Sequence, residues 1–262
     1  MSIWTELDQT ITLWLREARE SILASLEQAL DIDTKSNAND LVTNVDKETE
    51  QFFVRQIKKH YPHHKIVGEE GFGDKVHDLD GIVWIIDPID GTMNFVHQRR
   101  NFFISIGILE NGIGKLGYLY DIILDELYFA YEGHGAFLNG QSIAPLEKGR
   151  VEEAIIGFNP ASIPANEAAQ TMIKLMKDVR GVRSYGSAAM EFAYVATGRL
   201  DAYISLGLSP WDFAGGKIIL EELGGIVTDL SGNPVKILEN SSILAARPGL
   251  HEQLLKNYLR AK

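Results

Sequence analysis

Apolar positions at the start of the chain recur at steps of three and four: Trp4, Leu7, Ile11, Trp14, Ala18, Ile22 and Leu26. That spacing predicts an amphipathic helix over the first thirty residues. The polar run DIDTKSNANDLVTN (31–44) breaks the period and reads as an exposed, mobile loop. A second helix is predicted from Thr43 or Asn44, with Asp46 in its first turn, where negative charge suits the helix dipole. Val45, Thr49, Phe52, Phe53 and Ile57 give its buried face, and Tyr61–Pro62 ends it.

From Ile82 the pattern changes to strands. Segments 104–109 and 115–120 flank ENGIG, 126–131 follows, and Asn139–Gly140 signals another hairpin, together an antiparallel meander. Beyond PLEKG (145–149), short strands alternate with helices. AIIGF, VRSYG, AYISL, GIV and SILAA are the strands; helices are predicted near 166–177, 188–197 and 211–223, and at the end of the chain. That alternation predicts βα units around a mixed sheet. The chain therefore reads as an α+β first lobe (1–148) and an α/β second lobe (149–262).

Composition narrows the options. With 45% hydrophobic residues the chain has material for a sizeable core, and its apolar runs are too short to span a bilayer. The first twenty residues carry charges at helical spacing, so no secretory signal is expected and a cytoplasmic location is. There is no cysteine, which excludes disulfides, zinc–thiolate sites and cysteine nucleophiles. A net charge of −11 disfavours nucleic acid and anionic lipid as partners. A phosphate substrate would need local reversal of that field, which bound divalent cations supply.

Three acidic clusters are candidates for holding such cations: Glu69–Glu70 in VGEEGFG, Asp87 and Asp90 in WIIDPIDGT, and Asp212 in SPWDFAGG. Hard cations take oxygen ligands, and carboxylates from several segments supply them. Pro88 pushes Asp87 toward an extended conformation, and a turn after it would aim the Ile89 carbonyl the same way as the aspartates. Gly91 permits close backbone approach, and Thr92 opens a helical turn whose free N–H groups favour phosphate. Singly, each cluster has an ordinary reading: an Asx-capped turn, a solvated acidic loop, a helix cap. His60, His63 and His64 read as a solvated helix end, and Arg99–Arg100 as structural.

Taken together, Asp46, Glu69–Glu70, Asp87-Pro88-Ile89-Asp90-Gly91-Thr92, and Trp211–Asp212 followed after eleven residues by Gly224–Gly225 resemble the inositol monophosphatase superfamily. The resemblance implies the layered αβαβα sandwich shared with fructose-1,6-bisphosphatase, a lithium-sensitive Mg²⁺ phosphatase with two to three Mg²⁺, and a homodimer. It implies that Glu69, Asp87 and the Ile89 carbonyl bind a first Mg²⁺ that activates the attacking water. Asp87, Asp90 and Asp212 bind a second, and a third lies near Glu69 and Glu70. Thr92, bonded to Asp46, orients the water. The Gly91 and Thr92 amides hold the phosphate, and Lys35 stands nearby in the loop. Gly186, Ser187 and Ala188 line the sugar pocket. A ring-binding glutamate of the animal enzymes is replaced by Ser205, and a nearby histidine by Ser209. That loss implies looser polyol selection, extending to other sugar phosphates, to the 2′-phosphate of NADP(H), or to fructose 1,6-bisphosphate. The alternative is a regulatory protein that keeps the phosphatase fold.

Overall fold

The computed structural model describes residues 3–28, 30–35, 41–163 and 168–259. Helix α1 (Ile3–Ser25) buries Leu7, Ile11, Trp14, Ala18 and Ile22 on one stripe, as its period requires. The polar run after it is partly ordered as a ribbon. β1 (Ile32–Thr34) pairs antiparallel with β2 (Leu41–Thr43), Ile32 opposite Thr43, which corrects the all-loop expectation. Positions 36–40, the middle of that predicted loop, lie outside the described residues. Helix α2 (Asn44–His60) opens with Thr43 as N-cap and Asp46 reaching back to it. The buried face of α2 includes Val45, Thr49, Phe53 and Ile57, and also Asp46 and Glu50.

β3 (Lys65–Gly68), β4 (Ile82–Asp90), β5 (Phe103–Glu110), β6 (Ile113–Asp121), β7 (Glu126–Tyr131), β8 (Gly135–Leu138) and β9 (Gln141–Ser142) form one sheet in sequence order. The expected meander holds from β4 onward; β3, too short and mixed to stand out in the sequence, adds to β4 in parallel. Between β4 and β5 lies α3 (Thr92–Gln98).

The second sheet runs β11-β10-β12-β14-β13, with two parallel and two antiparallel pairings. Its elements are β10 (Ile155–Phe158), α4 (Ala168–Asp178), β11 (Gly181–Arg183), α5 (Ala188–Ala196), β12 (Ala202–Leu208), α6 (Pro210–Glu222), β13 (Ile226–Thr228), β14 (Ser241–Ala246) and α7 (Leu250–Leu254). The mixed sheet is as expected from the alternation.

Apolar faces sort these parts into five layers. α1 and α2 pack on the outer face of the first sheet around Trp84, Ile104 and Tyr118. α5 and α6 fill the space between the sheets, and α4 and α7 cover the far face of the second. The αβαβα sandwich is thus the observed architecture. The close seat of α6 on the first sheet positions the site. A Cβ at Gly215 would lie 2.9 Å from the carbonyl oxygens of Ile106 and Tyr118, so only glycine lets the helix approach this closely. Ser105 Oγ also donates to the Trp211 carbonyl at 3.1 Å.

Two smaller expectations change. His64 is half-buried and accepts a hydrogen bond from Trp84 Nε1 at 3.0 Å, so it belongs to an aromatic cluster with Tyr61 and not to a solvated helix end. Arg99 is structural, as read: it donates to the Leu26 carbonyl at 2.6 Å.

Candidate active site

The segment DPID is not a turn. β4 runs through it to Asp90, but its pairing with β5 shifts register between Asp87 and Asp90. Such an irregularity bends the strand and re-aims side chains, here at the C-terminal end of β4, where the aspartates are buried. Asp87 is 1% and Asp90 8% exposed. The Ile89 amide donates to Asp87 Oδ1 at 3.0 Å, a local bond of the kind proline-kinked aspartates make. The turn comes one residue later, at Gly91, whose φ of 95° suits glycine.

Asp212 arrives from the other side, in the first turn of α6, where its Oδ2 accepts from the Ser209 amide at 2.7 Å. One carboxylate oxygen from each of Asp87, Asp90 and Asp212 lies within 4.8 Å of the others. Glu69, at the start of the loop after β3, joins them around a cavity of about 200 Å³ that Ile89, Gly91, Thr92 and Gly186 also line. Asp46 and Glu70 stand outside its lining. Thr92 Oγ1 lies 2.9 Å from Asp46 Oδ1 and 3.1 Å from the Ile89 carbonyl, so its one proton is committed within the protein. Asp46 in turn accepts from the Thr43 amide and hydroxyl.

The electrostatics are those of an uncompensated acidic site. Burial, then the charges of Glu69, Asp90 and Asp212, pushes the Asp87 carboxyl well above the usual carboxylate range. Burial followed by the Asp90 charge does the same to Asp212. Asp90 rises to about 6 through burial, despite donors from Ser187, Ala188 and Ala189, and burial carries Asp46 to about 6. Among the described residues, Lys35 alone forms an ion pair with any of these acids, reaching Glu69 Oε1 at 2.8 Å and Glu70 Oε1 at 2.5 Å. Clustered, buried oxygen donors with one lysine between them suit divalent cations, which supply the missing charge and take this donor type.

Beyond Asp90 and Asp212 the cleft widens into a second cavity of about 330 Å³, lined by Gly186, Ser187, Ala188 and Ser205. The sequence-derived sugar-pocket residues therefore adjoin the carboxylates. Ser205 sits at a register shift of β12, and its hydroxyl donates to the Gly207 carbonyl at 3.3 Å.

Glu50 was missed in the sequence. It is fully buried on α2 and accepts the amides of Glu70 (2.6 Å) and Phe72 (2.7 Å), so it shapes the turn that presents Glu69 and Glu70. Its place one helical turn after Asp46 was the available signal. Glu50→Ala would leave two part-buried amides unpaired, at a cost of about 3 kcal/mol measured by urea unfolding. It should also weaken divalent-cation binding beside Glu69 by roughly 10- to 100-fold, read from the melting-temperature rise on titration with the cation.

A strand end and a helix start that bring carboxylates together beside a glycine–threonine turn and a polar chamber describe a metal-dependent phosphatase of the carboxylate type. The comparisons agree with that class. The model of the inositol monophosphatase family matches residues 4–261. The chain is 53% identical, over all of both chains, to an inositol-1-monophosphatase of Bacillus subtilis. It also matches the structure of 2′AMP-bound SaIMPase-II (41% identity, TM-score 0.89, covering 97% of this chain and 94% of that one). A third match is an IMPase/NADP phosphatase complexed with Mg²⁺ and phosphate (30% identity, TM-score 0.91, covering 100% and 97%). This chain belongs to the inositol monophosphatase family.

Proposed function

We propose that this protein is a Mg²⁺-dependent phosphomonoesterase that hydrolyses inositol 1-phosphate and other small phosphate esters. The observation that carries the reading is the meeting of Asp87, Asp90 and Asp212 within 4.8 Å beside Gly91–Thr92. Two Mg²⁺ are assigned to Glu69, Asp87, the Ile89 carbonyl, Asp90 and Asp212, with a weaker third at Glu69–Glu70. Bound there, they supply Lewis acidity and neutralise charge on the transferring phosphoryl group. Phosphoryl transfer asks little more of the protein than positioning and electrostatic stabilisation. The Gly91 and Thr92 amides orient the phosphate. Thr92, its proton directed toward Asp46 and Ile89, presents oxygen lone pairs that orient the attacking water.

Substrate breadth follows from the second cavity. Ser205 offers a short neutral hydroxyl where a ring-gripping acid would reject analogues, and the chamber's wall sets small residues such as Ser184, Gly186 and Gly207 beside Tyr203, Leu206 and Leu208. The 2′AMP-bound relative favours a nucleoside 2′-phosphate as the second substrate class. The intact carboxylate set disfavours a purely regulatory role. The protein is assigned to the cytoplasm as a homodimer; no helix among the described residues is long and apolar enough to cross a membrane.

The test is phosphate release with Mg²⁺ from inositol 1-phosphate, fructose 1,6-bisphosphate, 2′-AMP and NADP. Turnover of inositol 1-phosphate and at least one other ester is expected, and is expected to stop with EDTA. Turnover of inositol monophosphates alone would overturn the broad reading; no turnover of any would overturn the enzyme. Light scattering should give a mass near twice the chain's 29.2 kDa.

A further inference from the structure

One buried acid in the second cavity has no part in the assignments above. Glu191, on the first turn of α5, is 4% exposed and lines this chamber together with Asp90 and Asp212. Its Oε1 accepts the Tyr185 amide at 2.9 Å, while among the described residues Oε2 has no hydrogen-bond partner. An unpaired buried carboxylate oxygen is destabilising. The opposite strand nevertheless leaves room for it: a Cβ at Gly157 on β10 would fall 2.0 Å from Oε2. A glycine here and a costly acid opposite it point to a task other than packing.

That task is visible in what Tyr185 connects. Its amide is held by Glu191, and its carbonyl accepts from Asn94 Nδ2 on α3 at 2.7 Å, the same nitrogen reaching the Asn101 carbonyl at 2.9 Å. The strap 184–187 is thus gripped from both sides, by α5 and by the helix that follows Gly91–Thr92. Immediately beyond the grip, Ser187 Oγ (2.5 Å) and the Ala189 (2.6 Å) and Ala188 (3.2 Å) amides hold the Asp90 carboxylate. The strap also rests on the phosphate turn: a Cβ at Gly91 would lie 3.1 Å from Ser187 Cβ and 3.4 Å from the Gly186 carbonyl.

We propose that Glu191 is a positioning residue of the phosphatase: by holding the Tyr185 amide it sets the 184–187 strap, and through Ser187 and the α5 amides it fixes the Asp90 carboxylate against the Gly91–Thr92 turn. This rests on the phosphatase reading above. Residues that orient a ligand from behind typically matter about 10- to 100-fold in metal affinity or rate.

The experiment compares wild type with Glu191→Ala, Glu191→Gln and Gly157→Ala. Each is assayed for kcat and KM on inositol 1-phosphate, and for the melting-temperature rise on titration with Mg²⁺ alone. Gln keeps an oxygen that accepts from Tyr185, so Glu191→Gln should stay within about three-fold of wild-type kcat. Glu191→Ala removes the acceptor, and Gly157→Ala displaces the carboxyl from the far side. Both should lower kcat about 10- to 100-fold with KM little changed, and shift the Mg²⁺ titration to higher concentration by a similar factor. If Glu191→Ala is recovered unfolded, Gly157→Ala carries the same expectation. The proposal is overturned if the alanine variants keep kcat and Mg²⁺ response and lose only melting temperature, or if Glu191→Gln falls as far as Glu191→Ala. A wild type inactive on every ester fails the phosphatase reading; an active wild type with indifferent variants fails this inference alone.

Discussion

Asp90→Asn is expected to lower Mg²⁺-dependent phosphate release by about 10³-fold, because a metal clamp of this kind is worth several kcal/mol of charge stabilisation. The substitution keeps the shape and one carbonyl oxygen that, in the place of Oδ2, still accepts from both Ser187 and Ala189, so the strap at α5 is retained. What it removes is a negative charge at the point where Asp87 and Asp212 converge. The same change should make the metal-free protein more stable, since Asp90 is among the charges that push Asp87 and Asp212 upward. Lower activity with a higher melting temperature in EDTA is therefore the expected pair of results. A variant that is merely unfolded would show the opposite change in melting temperature. An Asp90→Asn enzyme with near wild-type turnover would remove Asp90 from the metal site.

The second large effect is the pH dependence of stability with and without Mg²⁺. Burial raises Asp46 and Asp90 from 3.8 to about 6 in the folded protein. Between those values the folded state holds more protons than the unfolded one, so stability falls as pH rises through the window and the loss is complete above about 6. For Asp90 the shift corresponds to about 3 kcal/mol. Divalent cations bind the ionised form and oppose this loss, and metal affinity rises as the ligands lose their protons. The Mg²⁺-induced rise in melting temperature should therefore be small at pH 5 and large at pH 7.5, on the order of 5–10 °C at saturating metal. Other acids titrate in the same range, so the contribution of Asp90 is read as the difference between wild type and Asp90→Asn. A Mg²⁺ effect equal at both pH values would contradict the electrostatic account.

Much of the local structure was legible because local rules govern it. The 3.6-residue period fixed the stripe of α1, Thr43 and Asp46 form a capping pair at the mouth of α2, and hairpin residues marked β8–β9. The misread parts depend on partners distant in sequence. KIVG becomes a strand only by adding in parallel to β4, and the 31–44 segment becomes a ribbon by pairing with itself. The chain does not turn after Pro88, because β5 continues to hold β4 through the register shift. Glu191 carried no motif signal, and Glu50 only its place one helical turn after Asp46. Their roles come from amides of residues 70, 72 and 185, which a helical period does not reveal.

The sequence by itself determined the chemistry available: acidic oxygen donors in three clusters, a glycine and a threonine in sequence for a phosphate turn, and at Ser205 a serine, where the resemblance implies that the animal enzymes carry a ring-binding acid. Residue type decides which ions and groups can be bound, and residue type is written in the chain. Only the tertiary structure decided that these donors meet. Asp212 reaches Asp87 and Asp90 because Gly215 lets α6 sit against β5 and β6, and because the register shift in β4 turns both aspartates into the same cleft. Close packing fixes such distances through many contacts remote in sequence, and burial away from water, which only folding creates, turns three ordinary acids into an unbalanced charge that attracts a cation.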